Sequence, residues 1–368
     1  MAKEHVFEMY GHPSIYKAAE RKLKVYFCEP EQGINKNTGI ILLIPGFGAN
    51  SSSNVYKKMR REFADKYNLI TVQCDFFGFE FLQNVDYFMR NYKVDVQINN
   101  KFFRFNSDTV MDIFKLLHTS QVQGLTIEGK VRDLSETADY CCDMCVMQAL
   151  DNITAVLTVI SIIEENGYEW DKKNVILYGT SHGSYISYVC NAFAPFLFTL
   201  LVDCSAYTFP TWLTKRTTYS VYTEQNLGLQ VQLNITFNYI ISCIFSDLEV
   251  YHLPTLYKTF NNRCKIVSYH GTEDEHTSIF EKREFCNSIN NCTFNEITND
   301  TLKERLFKST THNLGMDLLQ LFEYVMNNHE RNQEEIDWKP MVTFSTKEYT
   351  YLLDYSNRVP TLKLSKNG

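Results

Sequence analysis

The 368-residue sequence predicts an α/β fold, a mostly parallel central sheet flanked by helices, on three observations. Strand-like and helix-like segments alternate along most of the chain. The most apolar strand-like runs, "GIILLIPG" from residue 39 and "NVILYG" from residue 174, are continuous instead of alternating, as in strands covered on both faces. Two long stretches, 80–135 and 207–262, interrupt the alternation directly after presumed strands, where a cap or lid over a site would be inserted.

Taken in order, "HVFEMY" (5–10) and "KLKVYF" (22–27) are expected as opening strands, the second with Leu23, Val25 and Phe27 alternating with polar neighbours. A helix is expected over 54–66, with Val55, Met59 and Phe63 on one face. "NLITVQCDFFGF" (68–79) is the next strand, ending near Asp75. Residues 143–165 form the clearest helix, with Val146, Leu150, Ile153, Leu157 and Ile160 as its apolar stripe. The strand "NVILYG" runs into the helix "SYISYVCNAF", and "FTLLVDCSA" (198–206) and "CKIVSYHG" (264–271) are further core strands. A helix over 277–289, a short strand over 292–297 and an amphipathic helix over 314–329 complete the pattern. The expected organisation is one domain over 1–368, with the two insertions and a C-terminal extension from 330 that adds strands or packs on the surface.

Composition narrows the function classes. The net charge of −7 comes without any basic face, so nucleic acid is not an expected partner. The first residues lack the apolar core of a secretory signal, and no stretch approaches the uninterrupted ~18 apolar residues of a spanning helix, so a cytoplasmic protein with no membrane span is expected. Eleven cysteines in apolar surroundings fit reduced thiols. Cys141-Cys142-Asp143-Met144-Cys145 contains a CxxC spacing, but no second Cys/His pair stands at zinc-site spacing, so small core residues on a helix face are expected there.

The chemistry concentrates at Gly179-Thr180-Ser181-His182-Gly183, between an expected strand and an expected helix. Glycines two positions either side of Ser181 suit a serine on a strained strand-to-helix turn, because side chains there would strike the neighbouring strand and helix. The bland alternative is a glycine-rich bend. A serine hydroxyl attacks only when a base takes its proton and an acid orients that base. "VSYHGTEDEHT" offers Asp274 after a core strand, and "STTHNLGMDLL" offers His312 in a loop before the last helix, in the order serine, acid, histidine. Asp203, at the end of the preceding strand, is a second position for the acid, and His270, Asp274 and His276 allow a metal reading.

These three motifs together resemble the α/β-hydrolase superfamily over roughly residues 39 to 329. His270-Gly271-Thr272-Glu273-Asp274 is similar to the HGxxD pattern of esterase and prolyl-oligopeptidase-like members, which implies Asp274 as the triad acid beside Ser181 and His312. The resemblance also implies an oxyanion hole from the amides of His182 and Phe47. Pro45-Gly46-Phe47-Gly48 resembles the family's His-Gly-x-Gly loop but has Pro at its first position, which removes a side chain and one donor and leaves Phe47. The Phe47 ring is then a candidate wall of an acyl pocket, and the His182 ring is expected to pack or hydrogen-bond nearby. More narrowly, residues 43–81 with the Ser181 elbow resemble an uncharacterised bacterial family of α/β-hydrolase-like proteins that recurs in flagellin-glycosylation gene clusters.

The leading functional expectation is a serine esterase or acyltransferase, without cofactor or metal, acting on a small acylated substrate, a sugar or a carrier-bound acyl group. A prolyl-oligopeptidase-like peptidase is the second enzymatic expectation, although no propeller-like repeat is present to gate peptides. A non-catalytic hydrolase fold used for binding is the third. Tyr87, Phe88, Phe102, Phe103, Tyr207 and Trp212 in the insertions are candidates for stacking on a sugar ring.

Overall fold

A computed structural model describes residues 1–83, 93–98, 101–106, 126–130, 136–213, 218–223, 231–236, 239–302, 306–328 and 338–368. Two compact units emerge, one built from Met1–Phe77, Asp143–Pro210 and Ser246–Gly368, the other from Gly78–Cys142 and Thr211–Phe245.

The first unit carries an eight-stranded sheet. Its strands are β1 (Lys3–Tyr10), β2 (Lys22–Glu29), β3 (Gly39–Ile44), β4 (Leu69–Asp75), β5 (Val175–Thr180), β6 (Leu200–Cys204), β7 (Lys265–Gly271) and β8 (Cys292–Ile297). They lie in the order β1-β2-β4-β3-β5-β6-β7-β8. The β1/β2 and β2/β4 pairs are antiparallel and all the others parallel. All of β3 is buried, as a continuous run of β-branched and leucine residues at the middle of a covered sheet requires.

Helices α1 (Asn54–Tyr67), α2 (Val146–Glu165), α3 (His182–Phe193), α4 (Ile279–Asn287) and α5 (Leu318–Asn328) flank this sheet. In α1 the buried face is Tyr56, Met59 and Phe63, with Phe63 stacked on Phe322 at 4.3 Å, whereas Val55 is 39% exposed. The expected stripe was therefore one residue out of phase at its first position. Helix α2 buries more than a stripe: Asp151 and Asn152 are as buried as Leu150, and Asp151 forms an ion pair with Arg21. It is long and apolar enough to cross a bilayer, and 83% of that apolar window is buried inside the protein. Cys145 stands at the N-cap of α2, and Cys141 and Cys142 precede it, so these buried thiols do not share the helix face expected of them. Helix α5 starts at Leu318, later than expected, because Asn313, Leu314 and Gly315 all take left-handed backbone angles (φ 63, 56 and 53°).

The C-terminal extension forms its own antiparallel sheet of Met341–Ser345, Tyr349–Asp354 and Thr361–Lys366. Tyrosines anchor it: the Tyr351 hydroxyl donates to Asp247 Oδ2 (2.7 Å) and the Tyr355 hydroxyl to the Phe193 carbonyl (2.8 Å).

The second unit contains a five-stranded sheet ordered Thr218–Thr223, Val231–Thr236, Thr126–Lys130, Lys93–Ile98 and Lys101–Asn106. Both interrupting stretches contribute to it, through a parallel pairing of Val231–Thr236 with Thr126–Lys130. Residues 246–262, expected within the second insertion, fall in the first unit. Of the aromatic candidates, Tyr87 and Phe88 lie outside the described residues, Phe102 and Phe103 fall in strand Lys101–Asn106, and Trp212 falls in the turn Thr211–Leu213. Tyr207 belongs to the first unit and is buried.

Candidate active site

Ser181 sits between β5 and α3 with φ 51° and ψ −118°, a conformation that costs an L-residue strain. Its flanking glycines are required by space: a Cβ at Gly183 would strike the Ile44 carbonyl, and one at Gly179 would strike the Gly183 backbone. The Ser181 N–H donates to the Cys204 carbonyl (2.8 Å), tying the elbow to the end of β6.

The Ser181 hydroxyl lies 2.7 Å from His312 Nε2, and His312 Nδ1 lies 2.8 Å from Asp274 Oδ2. The two loops bearing the histidine and the acid are laced together. Glu273 N–H donates to the Thr310 carbonyl (2.9 Å), the Thr310 hydroxyl to Glu273 Oε2 (2.6 Å), and His312 N–H to Glu275 Oε2 (3.3 Å). Asn313 N–H donates to Ser205 Oγ (3.1 Å), so the left-handed turn that presents His312 is held from β6 as well. Asp274 Oδ1 accepts from the backbone of His276 (2.9 Å) and Thr277 (3.3 Å). Burial opposes the Asp274 charge, but the hydrogen bond and charge of His312 outweigh it and hold the carboxyl below its ordinary value.

The other candidates have distinct surroundings. Asp203 is buried in an ion pair with Lys282, Nζ to Oδ2 2.8 Å, so this second candidate acid is already committed. His270 is buried with Nε2 2.9 Å from the Thr277 carbonyl, and the His276 ring packs edge-on against His312 with centroids 4.3 Å apart. Burial pushes both of these imidazoles below their ordinary pKa. Among the described residues no group of three or more His, Cys, Asp or Glu side chains is arranged to hold a metal.

His182 opens α3, so its N–H has no intrahelical partner and points out of the helix start. Its ring is buried, bonded to Gln148 Oε1 (2.6 Å) and to the Tyr207 hydroxyl, and burial drives its pKa down to about 3. The Phe47 loop abuts the elbow: a Cβ at Gly46 would lie 2.8 Å from the Thr180 carbonyl and 3.4 Å from Ser181 Cβ. Gly48 (φ 81°) makes the turn, closed by Ala49 N–H to the Gly46 carbonyl at 3.3 Å, and the Phe47 ring is 50% exposed. Tyr56, buried in α1, bonds both Thr180 and Gly46 and so joins this loop to β5.

Tyr207 was expected as a sugar-stacking candidate, not as a partner of His182, and Ser205, Gln148 and Tyr56 were not singled out from sequence. Ser205 alone carried a signal, as the polar end of a core strand beside Asp203.

An arrangement of this kind can move a proton from a serine hydroxyl to an imidazole braced by a carboxylate, beside two candidate amide donors. No curated protein matches the chain. Among solved structures, an acylaminoacyl peptidase in complex with Z-Gly-Gly-Phe-chloromethyl ketone superposes with a TM-score of 0.50 at 11% identity, covering 91% of this chain and 43% of that one. Est1E from Butyrivibrio proteoclasticus with ferulic acid bound gives 0.44 at 12% identity, covering 87% and 96%. An alpha-beta serine hydrolase homologue from Coxiella burnetii gives 0.41 at 14% identity, covering 89% and 97%. Identity this low speaks to fold alone, and the fold is that of the α/β-hydrolases. A family model matches residues 5–358, from the first strand of the main sheet into the C-terminal extension, and on that extent the chain belongs to the family described as "Protein of unknown function (DUF2920)".

Proposed function

We propose that the protein is a serine-dependent esterase or acyltransferase that works through an acyl-enzyme on Ser181. The observation that carries this reading is the continuous line from Ser181 Oγ through His312 to Asp274, at 2.7 and 2.8 Å. As Oγ attacks an ester carbonyl, its proton passes to His312 Nε2, and the Asp274 carboxylate holds Nδ1–H and stabilises the imidazolium. The imidazolium then protonates the departing alkoxide, leaving Ser181 acylated. Water or an acceptor hydroxyl, deprotonated by Nε2, attacks the acyl group and regenerates the serine. The amides of His182 and Phe47 receive the oxyanion charge in both steps.

For the substrate we propose an acylated sugar or carrier-bound acyl group. Its support is the resemblance to a family recurring in flagellin-glycosylation gene clusters, which points to a bacterial surface sugar or its precursor. A fluorophosphonate probe, short acyl esters and acylated sugars test the reading on intact protein and on Ser181→Ala. Adduct on the Ser181 peptide and ester turnover, both lost in the variant, are expected. Neither adduct nor turnover in the intact protein would remove the reading and leave a binding role.

A further inference from the structure

The His182 ring is held at both nitrogens by groups from two other parts of the fold. Gln148, in the first turn of α2, takes Nε2 at 2.6 Å, and the Tyr207 hydroxyl, just past β6, takes Nδ1. All three side chains are buried. A side-chain amide oxygen can only accept, so Nε2 carries the proton and Nδ1 accepts from the Tyr207 hydroxyl. Each pin is itself fixed. Tyr207 stacks on Tyr185 with ring centroids 4.6 Å apart, and Tyr185 donates to the Tyr251 carbonyl at 2.9 Å. Gln148 lies in the first turn of a buried helix whose leading N–H groups meet the Asp143 carboxylate, Met147 N–H at 2.5 Å and Gln148 N–H at 3.4 Å.

A sharp strand-to-helix turn needs none of this. A buried imidazole is tolerated where both nitrogens are hydrogen-bonded, and a fully satisfied buried network of this kind rigidifies the backbone it is attached to. Adjacent to it is the strained peptide. Ser181 at φ 51° and ψ −118° stores on the order of 1–3 kcal/mol, and such a conformation persists only where its surroundings over-determine it. Gly179 and Gly183 make room for the turn but do not hold it, since glycine widens the accessible backbone. The ring of the residue immediately after Ser181 is the lever best placed to fix the Ser181–His182 peptide plane.

We infer that Gln148 and Tyr207 are positioning residues that, through the His182 ring, fix the direction of the His182 N–H toward the oxyanion. This rests on the serine-hydrolase reading and deepens it. A misaimed donor weakens the transition state and leaves ground-state binding alone, so the loss falls on kcat and spares KM.

The test uses p-nitrophenyl acetate turnover, fluorophosphonate labelling and the ring 15N spectrum of His182. Gln148→Met keeps the volume and removes the acceptor, Gln148→Glu keeps the acceptor, and Tyr207→Phe removes the other pin. The Met and Phe variants should lose kcat on the order of 10- to 100-fold at unchanged KM, less than deleting a donor outright, and the Glu variant should recover most of it. The spectrum should show a neutral ring protonated at Nε2. Wild-type kcat in both the Met and Phe variants, equal losses in Met and Glu, or a proton on Nδ1 would overturn the inference while labelling at Ser181 keeps the broader reading. Absence of turnover and of any Ser181 adduct in the wild type removes both.

Discussion

Lys282 Nζ stands 2.8 Å from Asp203 Oδ2 with neither side chain exposed. The Ser268 and Tyr188 hydroxyls donate to that same oxygen at 2.7 and 2.9 Å, and Ala206 N–H donates to the other at 2.9 Å. The ammonium also donates to the Ala206 carbonyl at 3.0 Å. An aspartate so engaged at the end of β6 braces the sheet behind Ser181, whereas Asp274 one strand over reaches His312.

Asp203→Asn should therefore cost stability, about 3–5 kcal/mol, because it strands a buried ammonium. Burial opposes both charges, yet each partner's charge prevails, so the Asp203 pKa lies below 3.8 and that of Lys282 above 10.5. The pair's contribution is then present between those values. It is lost as pH falls through the depressed aspartate pKa or rises through the elevated lysine pKa. In Asp203→Asn the main influence raising the Lys282 pKa is gone and burial, which lowers it, is opposed only by the Cys286 and Cys292 thiols, so the variant's stability should rise with pH across the alkaline range. Urea midpoints against pH check this; a variant as stable as the parent, with the same flat profile, would contradict it.

Asp274→Asn should show the opposite division, with folding kept and turnover lost. The asparagine can still accept the His276 N–H on Oδ1, but its NH2 would face His312 Nδ1. That favours the tautomer with the proton on Nε2, which can no longer accept from Ser181. A fall in kcat of about 10⁴-fold is expected, with an unfolding midpoint close to the parent's. Equal activity in the variant would dismiss Asp274 as the orienting acid.

Gly183→Ala should be far more damaging than Gly33→Ala. At Gly183 the new methyl meets the Ile44 carbonyl, backbone at the sheet centre that cannot move aside, whereas at Gly33 nothing lies within 4 Å. Gly33→Ala adds only the left-handed strain of φ 78°, about 1–2 kcal/mol. Thermal melts and probe labelling of both variants measure the contrast, and equal effects would show that the helix can shift off β3.

The main sheet was legible because its strands are locally encoded: Ile40 to Ile44 are all fully buried, and a strand covered on both faces needs only a continuous apolar run. Ser181, Asp274 and His312 were legible because each ends or follows a core element in a fixed order. What escaped is non-local. Val231–Thr236 pairs with Thr126–Lys130 across about a hundred residues, and nothing in either segment names its partner. Gln148 and Tyr207 lie 34 and 25 positions from His182; Gln148 looks like an ordinary helix side chain, and nothing in sequence connects Tyr207, a stacking candidate, to His182. Lys282, within the charged run "FEKREF", reads as solvated until Asp203 supplies the charge that allows its burial.

Ser181→Gly and Ser181→Ala should separate backbone strain from chemistry. Both delete the hydroxyl, its hydrogen bond to His312 Nε2 and any capacity to form an acyl-enzyme. Alanine keeps the Cβ that makes φ 51°, ψ −118° unfavourable, while glycine occupies that region freely. The strain relieved is on the order of 1–3 kcal/mol. Glycine's larger loss of chain entropy on folding offsets about 0.5–1 kcal/mol of it. The glycine variant should thus be the more stable of the two inactive proteins by about 1 kcal/mol or more, read as a higher urea midpoint at the same slope. If alanine is as stable as glycine, the elbow holds no strain, and the bonds from Gln148 and Tyr207 to the next residue have nothing to restrain. If glycine leads, the fold stores backbone strain at Ser181, the residue that bears the proposed nucleophile.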